Sequence, residues 1–167
     1  MKRSIGYALA TLSLALHSSL TPAFCIQPTD NSWAISAGEA TDPAKRLVWK
    51  RCAVGMEWNQ RSGRCTGNPL GLSHDDAKKA AKRTGPGWRL PTAEELGSLR
   101  RRTCSGPKID ARVFPAVAAS DFGEGANFWT ATAAEIPGTL YYVNFTDGSY
   151  DFHSAGFSLS IFLVKNL

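Results

Sequence analysis

From Ile5 to Leu16 the chain is apolar almost without interruption, and Lys2 and Arg3 stand just before that run. A bilayer crossing needs about 20 apolar residues, so the block predicts a secretory signal instead. Ser18, Ser19 and Thr21-Pro22-Ala23 supply the small residues of a cleavage site, which places the signal peptide at residues 1–23. A lipid anchor on Cys25 is the weaker alternative, because Phe24 stands where lipoprotein processing requires a small residue. Residues 24–44 are polar and turn-rich, with Pro28, Asn31, Gly38 and Pro43, and read as a lead-in around one short strand near Trp33 to Ser36.

The pattern then becomes that of one domain, residues 45–167. Leu47-Val48-Trp49 is a short β-type run that ends at Lys50, Arg51 and Cys52. Ala77, Ala80 and Ala81 recur at helical spacing behind Ser73, an N-cap residue with Asp76 three positions on, and the helix stops at Thr84-Gly85-Pro86-Gly87. A second helix is signalled by Thr92, preceded by Pro91 and followed by Glu95 in capping-box spacing. Leu96 and Leu99 share a face, and the helix is expected to run to about Thr103. Short strands are expected at Phe128 to Thr130, Leu140 to Phe145, Ser149 to Phe152 and Leu159 to Val164. Thr146-Asp147-Gly148 forms the turn between the second and third of these. Two helices with a set of short antiparallel strands make an α+β domain.

Composition sharpens this picture in three ways. The five tryptophans and their companion aromatics supply a packed core rather than a disordered tail. Removal of Lys2 and Arg3 with the signal lowers the formal net charge of +5 to +3, a mild basic excess that favours acidic partners. Four cysteines, Cys25, Cys52, Cys65 and Cys104, survive that cleavage, and an even number in an exported chain reads as two disulfides with three possible pairings. Cys52 with Cys65 closes a short loop, and Cys25 with Cys104 would then tie the new N-terminus to the middle of the domain. Zinc is disfavoured because no Cys-x-x-Cys pair is present and His74 and His153 are isolated. No metal and no cofactor is therefore expected.

Leu47-Val48-Trp49-Lys50-Arg51-Cys52, Gly55, Trp58, Cys65-Thr66-Gly67, Gly87-Trp88-Arg89-Leu90-Pro91-Thr92 with Glu95-Leu96, Ile109-Asp110, Val113-Phe114-Pro115, Phe128-Trp129-Thr130 and Tyr142-Val143-Asn144-Phe145 with Asp147-Gly148 follow one another in order. That series resembles the Lcl C-terminal domain family, named for a bacterial collagen-like adhesin, over roughly residues 45–165. The resemblance implies a fold related to C-type lectin-like and formylglycine-generating-enzyme-like domains. It also implies an exported or surface protein, and binding to sulfated polysaccharide in the adhesin itself. The chain departs from the family in lacking a collagen-like repeat and in carrying Lys165 where the family usually has Arg.

Candidate ligand contacts are the basic residues Lys78, Lys79, Lys82, Arg83, Arg100, Arg101 and Arg102, whose type suits sulfate or phosphate groups. The competing explanation is a solvated helix face with favourable charges at helix C-termini. Arg89 is expected to brace the second helix through Glu95. Tyr141, Tyr142 and Tyr150 could stack on sugar rings, and strand alternation requires that Tyr141 and Tyr142 face opposite ways. Asn144, Asp147 and Asp151 could offer oxygens to calcium, but the turn already accounts for Asp147. Ser73-His74-Asp75 is better spent on capping than on a catalytic triad, and a formylglycine-generating activity would need cysteines after Cys104, where there are none. The expectation is a non-enzymatic exported domain, periplasmic, secreted or at the cell surface, that binds an acidic glycan or envelope component. The alternative is a structural subunit of a pilus or secretion apparatus with a protein partner. Nucleic acid is disfavoured by export, and no transmembrane segment is expected after signal cleavage.

Overall fold

The computed structural model describes residues 32–103, 106–117 and 126–167. The expected signal peptide, Cys25 and Cys104 lie outside the described residues, and the second expected disulfide with them. Three small antiparallel sheets and two short helices make up the described part, an α+β arrangement.

The first sheet joins β1 (Ala34–Ser36), β2 (Glu39–Asp42), β3 (Leu47–Lys50) and β9 (Val164–Asn166) in that spatial order. The expected strand near Trp33 is therefore present. The lead-in does more than expected, because Glu39–Asp42 pairs with Leu47–Lys50 and buries Ala40 completely. The second sheet is the hairpin of β4 (Glu57–Asn59) and β5 (Arg64–Thr66), tied to the end of β3 by a Cys52–Cys65 disulfide. The third sheet orders β6 (Asn127–Ala133), β7 (Thr139–Asn144) and β8 (Tyr150–Ser154). The Asp147-Gly148 turn closes β7 onto β8 with Gly148 at φ +83°, a conformation in which any other side chain would be strained.

Helix α1 (His74–Thr84) starts where Ser73 caps it, its hydroxyl accepting from the Asp76 N–H. Asp75 and Asp76 occupy the first turn and Lys82 and Arg83 the last, each favourable for the helix dipole. Helix α2 (Ala93–Gly97) opens with the complete capping box: Thr92 Oγ1 accepts from Glu95 N–H at 3.1 Å, and Glu95 Oε2 accepts from Thr92 N–H at 2.8 Å. It ends at Gly97 rather than near Thr103. The Ser98 hydroxyl bonds Glu95 O at 2.7 Å and Arg100 Nε bonds Gly97 O at 3.0 Å, so side chains satisfy the last carbonyls without further helical turns. The chain beyond is pulled into an antiparallel bridge, Arg100 opposite Ile109, with Arg101 N–H donating to Lys108 O at 2.8 Å.

Two buried clusters lie on either side of the third sheet. Alternation along β6 and β7 sends Phe128 and Val143 into one, with Leu96, Leu99, Ile109 and Phe114. It sends Trp129 and Tyr142 towards the other, with Ala77, Ala81, Trp88 and Leu90. The expected strand from Leu159 to Val164 counts as strand only at its end. It still alternates: Leu159, Ile161 and Leu163 belong to the second cluster, Phe162 and Val164 to the first, and all are buried. Its backbone bonds sideways to Leu72, Trp129, Val54 and Lys50, which threads the two cores together. Phe162 stacks on Phe128 at 4.4 Å between centroids. Arg51, buried beside the first cluster, donates to Ala37 O, Val113 O and Arg112 O and lies 4.1 Å over the Trp58 ring.

Candidate functional site

The structure divides the basic residues between two places. Helix α1 packs on the Trp129 side of the third sheet, and its outer face carries Lys78, Lys79, Lys82 and Arg83. Lys78 pairs with Asp75 at 3.3 Å and Lys79 with Asp76 at 2.9 Å, both within the helix. The Lys79 and Ser73 bonds hold the Asp76 carboxyl below its ordinary range, and Asp76 in turn raises the Lys79 ammonium. Lys78 and Lys82 also rim a shallow groove of about 390 Å³ whose other walls are Ala81, Trp88, Arg89, Leu90, Thr92 and Ala131. Arg89 there is spent on Glu95, with two bonds of 2.7 Å that lower the Glu95 carboxyl and brace the capping box, as expected.

Arg100, Arg101 and Arg102 lie near the other face of the sheet, past the end of α2. With Gly97, Thr103, Lys108, Asp147 and Gly148 they line an open cavity of about 510 Å³. Three segments distant in sequence build it. Gly97 ends the helix, the bridge between Arg100 and Ile109 brings Lys108 back beside the arginines, and the β7–β8 turn supplies Asp147 and Gly148.

The cations are not equivalent. Arg100 is committed to the fold: its Nε donates to Gly97 O, its Nη1 donates to Gly148 O at 2.8 Å, and its guanidinium sits 4.3 Å over the Tyr150 ring. Arg101 is half-buried and bonds its neighbour's carbonyl, whereas Arg102 is exposed. Lys108 donates to Thr103 O at 2.8 Å, which leaves its other ammonium protons to the cavity. Asp147 is the acid of the group. One oxygen accepts the Ser149 N–H at 2.8 Å, and that bond, with the Ser149 side chain and more weakly Lys108, holds its carboxyl below the usual range.

Tyr150 connects this cavity to an aromatic strip. Its hydroxyl donates to Ala93 O at 3.2 Å, and across the sheet surface Phe152 meets Tyr141 edge-on, opposite it in register. Tyr150 and Phe152 are each 38% exposed. Tyr141 is half-exposed and bonds Glu135, which raises the phenol and lowers the carboxyl. Tyr142 faces the other way, edge-on to the buried Trp129, in keeping with strand alternation.

Ser73, His74 and Asp75 do not converge. The serine hydroxyl bonds Asp76, buried His74 Nε2 meets Thr130 O at 2.9 Å, and Asp75 holds Lys78. His153 stacks on Phe157. Asn144, Asp147 and Asp151 each spend an oxygen on a nearby backbone N–H, and among the described residues no group of three or more His, Cys, Asp or Glu is placed to hold a metal ion. Sequence reasoning missed Lys108 and Gly97 as members of the cavity. Neither has a local signal, since the first arrives through a strand bridge and the second is a bare backbone wall.

Among the described residues no helix is long and apolar enough to cross a membrane. Residues 38–165 match a family model described as the Lcl C-terminal domain. No curated protein matches the chain.

Proposed function

Because the chain belongs to the Lcl C-terminal domain family, we propose that it is an exported, non-enzymatic recognition domain that binds an acidic glycan or envelope component in the cavity beside Arg102. The observation that carries this reading is the convergence of Arg101 and Arg102 with Lys108, which a strand bridge brings back beside them, on one concave surface next to the Tyr150 and Tyr141 strip. Charge-assisted bonds from guanidinium and ammonium groups suit carboxylate, sulfate or phosphate, and flanking aromatic rings suit sugar faces. The Cys52–Cys65 disulfide fits an oxidising compartment, periplasmic or extracellular. We read the fold as C-type lectin-like on the strength of the family and of its small sheets and short helices. Lys78, Lys79, Lys82 and Arg83 are left out of the site, since the first two are paired within α1 and all four lie on the far side of the sheet.

The test is retention of the oxidised protein, without its signal, on heparin resin and on a sulfonate cation exchanger at matched salt, with Arg102→Ala alongside. Selective heparin retention that falls in the variant supports the reading. Equal retention on both resins would overturn it and favour a protein partner in a surface assembly, for which the exposed Ile136, Phe152 and Tyr150 offer an apolar surface.

A further inference from the structure

Four cations and one carboxylate line the same cavity. Asp147 accepts the Ser149 N–H at 2.8 Å within the turn, and the Ser149 side chain and Lys108 also favour its charged form. Its carboxyl is held below the usual range, so it stays charged at neutral pH. A site meant for bare anions gains nothing from such a group, because a like charge at close range costs affinity. A carboxylate facing a pocket of cations does serve a ligand that carries hydrogen-bond donors beside its anionic group.

Resting on the reading of this cavity as an acidic-glycan site, we infer that its ligand is an acidic sugar residue bearing a single anionic group flanked by free hydroxyls. Arg101, Arg102 and Lys108 hold the anion and Asp147 accepts from an adjacent hydroxyl. The volume, about 510 Å³ and open on one side, suits one or two sugar residues rather than a long stretch of polymer. Gly148 forms part of the wall, and a Cβ there would meet Lys108 Cβ at an ordinary contact distance of 3.5 Å, so the turn that carries Asp147 lies against Lys108. A uronic acid and a sugar phosphate share the required chemistry. Inorganic sulfate, which has an anionic centre and no hydroxyls, lacks it.

The deciding variant is Asp147→Asn, which keeps an amide oxygen for the Ser149 N–H and so preserves the turn while removing the charge. Methyl glucuronide, glucose 6-phosphate and inorganic sulfate would each be titrated into the oxidised wild-type and variant proteins by two-dimensional NMR. Affinities would be read from the amides of residues 97–103 and of Gly106 and Lys108, and distant amides would report the fold. The expected result is opposite signs. The variant binds sulfate more tightly and binds the better of the two acidic sugars about 3- to 10-fold more weakly, the loss of one charge-assisted hydrogen bond. Whichever sugar binds the wild type more tightly identifies the anionic group. If the variant binds all three more tightly, Asp147 is only a repelling charge and this inference falls, while the acidic-glycan reading stands. If none of the three shifts those amides in either protein, both fall.

Discussion

Gly97→Ala tests whether Tyr150 is seated on the end of α2 as tightly as the structure places it. A methyl group built on Gly97 would lie within van der Waals overlap of the Tyr150 ring, with Cζ at 2.4 Å and the hydroxyl closer still, so the ring must leave its seat. Leaving breaks the bond from the Tyr150 hydroxyl to Ala93 O and the contact beneath Arg100. These are worth about 1 kcal/mol and about 0.5–1 kcal/mol respectively. Alanine returns up to about 1 kcal/mol in helix propensity, less at a terminus. The single variant is therefore expected to be less stable by roughly 1–2 kcal/mol once displacement strain is included. In a Tyr150→Ala background the obstacle is gone, and the same substitution becomes neutral or stabilising by up to about 1 kcal/mol. Urea unfolding followed by tryptophan fluorescence, run as a double-mutant cycle, reads the difference. A Gly97→Ala variant that stabilises the wild type, or costs the same in both backgrounds, would refute the packing argument.

Further outcomes follow from the same structure. Replacing Cys52 and Cys65 together by Ala should lower stability by about 3 kcal/mol, because the bridge closes a 13-residue separation; an unchanged urea midpoint would remove the staple's role. Glu95→Ala should cost about 1–2 kcal/mol through the lost capping box and Arg89 pair, and thermal unfolding would show it. The Glu95 carboxyl is lowered chiefly by its bond from Arg89, so this contribution is present above the unfolded glutamate value and fades as pH falls through the folded one. His74 is lowered mainly by burial, with Lys78 acting in the same direction and Thr130 O and Asp75 opposing. The unfolded chain then takes up a proton near pH 6.5 that the fold resists, so stability should decline on acidification below that value. His74→Gln should flatten that part of a stability-against-pH curve, and an unaltered slope would assign the decline elsewhere.

What could be read from the sequence was decided locally. Ser73 and Thr92 announce their helices because a capping side chain bonds a backbone group only three residues away, and Asp147-Gly148 announces its turn for the same reason. The alternation of Leu159, Ile161 and Leu163 against Phe162 and Val164 also marked an extended segment, although most of it bonds sideways rather than within a sheet. The end of α2 was not readable. Leu99 continues the helical spacing of Leu96, but Gly97 lies against Tyr150 and the chain after it pairs with residues 108 and 109. Those contacts outweigh the weak preference of three arginines for further helical turns. Nor was the role of Arg51 readable, since three carbonyls from two distant loops hold it.

The early end of α2 is also what brings a charge run to the wall of the cavity. Had the helix continued to Thr103, the three arginines would have pointed about 100° apart around its axis, stabilised by the dipole and facing solvent. Ending at Gly97 instead lets Arg100 lie on Tyr150 and bond Gly148, which fixes the distance between the arginine segment and the β7–β8 turn. The same bridge carries Lys108 into place through the bond from Arg101 N–H to its carbonyl. Arg100 thus acts as a strut, while Arg102 is exposed and is the contact of the proposed site, although the sequence presents them as near neighbours of one kind. Removing all three together would mix loss of architecture with loss of binding, and the single substitution at Arg102 separates them.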